Sequence, residues 1–63
     1  MISDLHIDRS AWALIKRYGR DAILQAASRA EQLLEEGDSE GAAIWIRIID
    51  AIERQMPSAA SVH

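Results

Sequence analysis

The stretch GDSEGAAIWIRIIDAIERQMP, residues 37–57, decides the fold. Ala42, Trp45, Ile49, Ile52 and Met56 recur at alternating steps of three and four, the spacing of one face of an α-helix. Ile44, Ile48 and Ala51 make a second stripe beside the first, and Ile46 widens the apolar surface further. Only Ala43, Arg47, Asp50 and Arg54 define a narrow polar side, where Asp50 and Arg54 can pair at i, i+4. The pattern predicts a helix over about 40–56. Pro57 ends it, because the residue before a proline is pushed out of helical dihedrals.

Just upstream, Glu36-Gly37-Asp38-Ser39 is turn chemistry: Gly37 suits a left-handed stop, and Asp38 or Ser39 suits the next cap. A second helix is predicted over about 22–36, with Ala22, Ala26, Ala27, Ala30 and Leu33 on one side. The short connection makes these two helices an antiparallel hairpin. Further upstream, Ala11, Trp12, Leu14, Ile15 and Tyr18 predict a first helix over about 9–18, capped by Asp8, with Lys16 and Arg17 in its last turn. Gly19 followed by Asp21 supplies a stop and a start, so this helix is expected to break from the second and lie across the hairpin. The apolar stripe nevertheless runs almost in phase through Ile23 and Ala26, so one long helix bent at Gly19 would show the same periodicity. The expected architecture is all-α: a short helix on a helical hairpin in a single small domain, with 1–7 and 57–63 as flexible ends.

A helix that is apolar around most of its circumference belongs inside something. With 63 residues the chain has few elements to cover it, and domains this small bury only about 60% of their unfolded surface. There is no cysteine to staple it, which also removes the best zinc ligand. Self-association is the remaining support. The reading therefore expects a homodimer or a protein-docking face, with Trp12, Trp45, Ile44, Ile48, Ile49, Ile52 and Met56 at the interface.

Composition agrees with helix: no Phe, Thr or Asn occurs, and Val62 is the single valine. Seven basic against ten acidic residues give a net charge of −3, unlike a chain built as a whole to bind polyanions. The charge is uneven, however. Up to residue 20 there are four basic and two acidic residues; beyond it, three basic and eight acidic. Arg9, Lys16, Arg17 and Arg20 are thus a candidate basic face for nucleic acid or an acidic protein. Nucleic acid is disfavoured, because a helix-turn-helix reader needs a basic second helix and the third helix here is apolar. Glu35, Glu36, Asp38 and Glu40 crowd the hairpin tip. Glu35 and Glu36 sit at a helix end, where the dipole disfavours them, which hints at a cationic partner. Apolar runs such as 42–46 fall far short of the roughly 20 residues of a membrane span, and Asp4, Asp8 and Arg9 interrupt any leader-like start, so a cytoplasmic protein is expected.

Catalysis has no constellation to rest on. His6 and His63 fall in the two expected ends, with no His-x-x-x-His or Glu-x-x-His spacing for a metal. Ser10, Ser28 and Ser39 have no histidine on the same helical body to act as base, and the three glycines are scattered at helix ends rather than forming a phosphate cradle. No catalytic, metal or cofactor-binding residue is expected, and no enzyme.

Trp12, the Gly19-Arg20-Asp21-Ala22 step and the Gly37-Asp38-x-x-Gly41-x-x-x-Trp45 run together resemble a family of short alphaproteobacterial proteins, a domain of unknown function. The likeness spans about residues 8–53. It implies an all-helical fold and carries no activity to any residue. A weaker likeness is to one tetratricopeptide hairpin, through Ala30, Leu33, Gly37-Asp38 and Ala42, with Ile49 departing from the small residue usual there.

Overall fold

The computed structural model describes residues 3–56, and among them every regular element is helical. Helix α1 spans Asp4–Tyr18, α2 spans Ala22–Glu35 and α3 spans Ser39–Gln55, with a 3₁₀ turn at Gly19–Asp21 between the first two. Helical turns therefore follow one another from 4 to 35 with no coil residue between, interrupted only by the positive φ of Gly19, and α3 is the second such stretch. This corrects the expectation of three separate helices: the first stretch is one run of helical turns folded back at Gly19.

The fold at Gly19 is a backbone event. Gly19 takes φ +59°, and its amide donates to the Ile15 carbonyl, closing α1. Asp21, expected as the cap of α2, makes no side-chain capping bond. Left-handed dihedrals at one glycine suffice to redirect the chain without a new cap.

The start of α1 is also corrected. The irregular lead-in expected over 1–7 is helical from Asp4, and the cap is Ser3, not Asp8: the His6 amide donates to Ser3 Oγ at 3.3 Å. His6, expected in coil, lies in this first turn with Nδ1 3.1 Å from Ser3 Oγ. The extra turn has a packing reason. It brings Ile7 onto the stripe of Ala11 and Leu14 at i, i+4, i+7, and Ile7 is buried in the core. The expected tail, residues 57–63, lies outside the described residues.

The hairpin forms as its turn chemistry dictates. Gly37, at φ +85°, ends α2 in a Schellman arrangement: the Asp38 amide donates to the Leu33 carbonyl at 2.8 Å and the Gly37 amide to Leu34 at 3.0 Å. Asp38 then starts α3, its Oδ1 accepting from the Gly41 amide at 2.9 Å. Helix α3 ends one residue earlier than expected, with Met56 at its cap.

Helix α3 is the hub. Both α1 and α2 pack on it, and they pack far less on each other. Arg47 pairs with Asp4 at 2.7 Å, and Gln55 Nε2 donates to the Asp8 carbonyl at 3.0 Å. Both contacts advance along the two helices together, so α1 runs in the same sense as α3 while α2 runs against it. The core joins Ile7 and Ala11 of α1, Ala22 and Ala26 of α2, and Ile48, Ala51 and Ile52 of α3. Among the described residues, six of the ten buried apolar ones are alanines, which lets the helix backbones approach closely around the larger isoleucines.

Candidate interaction surface

Only part of the interface expected on α3 faces outward. Ile48 and Ile52 are buried inside the chain, and Ile52, fully covered, is the largest such side chain among the described residues. That is a correction: both serve the core and are closed to a partner. Alanines on α1 and α2 supply the cover that two short helices had seemed unable to give. Ile44, Trp45, Ile49 and Met56 are half-buried and packed against this core. Ile46 remains exposed and lines a groove with the charged Arg47, Asp50 and Arg54.

The outward apolar groups concentrate instead on the other two helices. Trp12 is 57% exposed and Leu5 is 60% exposed. They are seven residues apart on α1, so they share one stripe. Arg9 and Lys16 lie on the same stripe, giving the order Leu5, Arg9, Trp12, Lys16 at steps of four, three and four. Lys16 Nζ sits 4.6 Å from the Trp12 ring centroid, a cation–π contact that holds the indole along the helix. On α2, Leu24 is 67% and Leu34 is 55% exposed, with half-buried Ala27 and exposed Glu31 between them at steps of three, four and three. The sequence signals no stripe at Leu5, because a helix capped by Asp8 would leave it in coil. Leu24 and Leu34 lie off the alanine stripe that faces α3, ten residues apart, and only the steps through Ala27 and Glu31 join them into one stripe.

The candidate basic face divides. Arg9 and Lys16 flank Trp12, whereas Arg17 lies about 100° further round the helix and its guanidinium is 5.6 Å from the Tyr18 ring centroid. Arg20 sits in the 3₁₀ turn. The four cations do not form one patch.

One open groove runs between α1 and α3, about 460 Å³, lined by Asp4, Ile7, Asp8, Ile46, Arg47, Asp50 and Arg54. Its guanidiniums are already engaged within the chain, Arg47 with Asp4 and Arg54 with Asp50 at 3.3 Å. No cluster of three or more His, Cys, Asp or Glu positioned for a metal occurs among the described residues, and no buried side-chain polar atom there lacks a partner. No described helix is long and apolar enough to cross a membrane.

Comparison with protein-family models, with curated proteins and with solved structures finds no match to this chain. The family resemblance set out above therefore rests on its sequence pattern alone.

Proposed function

We propose that this chain is a small helical protein–protein interaction module. One observation carries the reading: Trp12, the largest kind of apolar side chain, stands more than half exposed on an α1 stripe with exposed Leu5, while smaller residues fill the core. Leaving such a group in water forgoes roughly 1.5 to 3 kcal/mol of burial, and a Trp flanked by cations is the usual composition of an interface anchor. Self-association or docking through α3 has Ile46 and the half-buried rim of Ile44, Trp45, Ile49 and Met56 to use, whereas α1 offers the more exposed Trp12 and Leu5. The resemblance to a short all-helical bacterial family is compatible with this role, and a non-enzymatic module fits a sequence in which no acid, base and nucleophile converge.

The alternative, a regulator that lays a basic α1 on nucleic acid, is favoured less. Cations spread around a helix cannot follow one phosphate track together, whereas Arg9 and Lys16 beside Trp12 suit an acidic, partly apolar protein surface. Affinity capture from the native cell with the wild-type chain and with Trp12→Ala tests the reading. A partner held by the first and lost by the second is expected; identical captures from both would reject a docking role for this face.

A further inference from the structure

The outward stripe of α1 and the outward stripe of α2 are complementary, and we infer that they dock on each other between two copies of this chain. This deepens the reading of Trp12 as a docking anchor and rests on it. Laid antiparallel, the α1 order Leu5, Arg9, Trp12, Lys16 meets the α2 order Leu34, Glu31, Ala27, Leu24 position by position. Leu5 falls on Leu34, two exposed apolar groups. Arg9 falls on Glu31, a cation on an anion. Trp12 falls on Ala27, the largest side chain over a small one. The stem of Lys16 falls on Leu24, with its ammonium free to snorkel.

Two observations favour a second copy over another occupant. Both stripes keep the alternating three-and-four step of helix-on-helix seams, so each supplies the ridge and groove the other needs. Neither Arg9 nor Glu31 has an ion-pair partner among the described residues, although Arg47 and Arg54 do. The contact joins unlike faces, and the form proposed is the closed twofold pair in which it occurs twice, each copy giving one α1 and one α2 stripe.

Charge reversal tests the pairing on exposed positions that do not hold the fold. Sedimentation equilibrium of the full chain is expected to show a dimer whose association weakens at least about tenfold in Trp12→Ala, with helicity by circular dichroism unchanged. Arg9→Glu alone and Glu31→Arg alone each place like charges across the seam and are expected to be monomeric. Mixed in equal amounts, they place opposite charges at both contacts and are expected to re-associate to wild-type strength. A wild-type chain that stays monomeric into the millimolar range would overturn the second-copy assignment, as would single reversals that dimerise normally or a mixture that stays apart. Flotation with anionic phosphatidylglycerol vesicles, lost in Trp12→Ala, in a chain that does not dimerise would assign the stripe to a lipid surface and overturn it too. None of these outcomes depends on the cellular capture, so self-docking and the general docking role can fail separately.

Discussion

The inner face of α3 and the outer face of α1 look alike as sequence and end in opposite places. Ile48 and Ile52 lie one turn apart on α3 and are covered; Leu5 and Trp12 lie two turns apart on α1 and stand in water. The difference is what lies across from each. Opposite Ile48 and Ile52 are Ala11, Ala22 and Ala26, small enough for three helices to close around a branched side chain. Opposite Trp12 no other helix among the described residues packs, since α1 and α2 each spend their inner face on α3 and meet each other only slightly. Apolar spacing reveals that a face exists. It does not reveal whether the same chain covers it.

Substitutions across the two faces can break or sharpen this contrast. The largest effect is expected from Ile52→Ala, which empties a fully covered site and should cost about 2 to 5 kcal/mol of unfolding free energy in urea. A loss below about 1 kcal/mol would mean that the core is not where the structure puts it. Trp45→Ala, on the half-buried rim, should fall below that, at roughly 1.5 to 3 kcal/mol in the same titration. Asp38→Ala removes the carboxylate that accepts from Gly41 and should cost about 0.5 to 2 kcal/mol, with Asp38→Ser recovering most of it in thermal melts. The exposed Arg47–Asp4 pair should be worth only about 0.2 to 1 kcal/mol in a double-mutant cycle, because both side chains are largely hydrated. Smallest of all, Trp12→Ala should leave the stability of the isolated chain within about 0.5 kcal/mol while changing its association. A melt that drops strongly on Trp12→Ala would place the tryptophan in the core and erase the contrast.

Much of the hairpin was legible before any coordinates. Gly37 and Asp38 announced a left-handed stop and a cap, and the structure uses each in that role. The three-and-four rhythm of α3 placed its helix to within a residue or so at either end. The start of α1 was not legible in the same way, because Asp8 and Ser3 are both competent caps. What selects Ser3 is Ile7, whose burial against α3 rewards one more helical turn. Likewise Gly19 and Asp21 promised a stop and a start, but the left-handed glycine redirects the chain by itself and leaves Asp21 without a capping role. Of the residues that the spacing assigns to an interface, Trp12 stands exposed, while Ile48 and Ile52 turn inward.

The sequence alone determined helicity, the hairpin turn and the apolar faces, because hydrogen-bond geometry, glycine dihedrals and residue spacing act within a few positions of the chain. Which apolar face is closed and which is left open was decided only by tertiary packing. That outcome depends on how small alanines on one helix meet isoleucines on another, a match between residues such as Ala11 and Ile52 that no local rule connects.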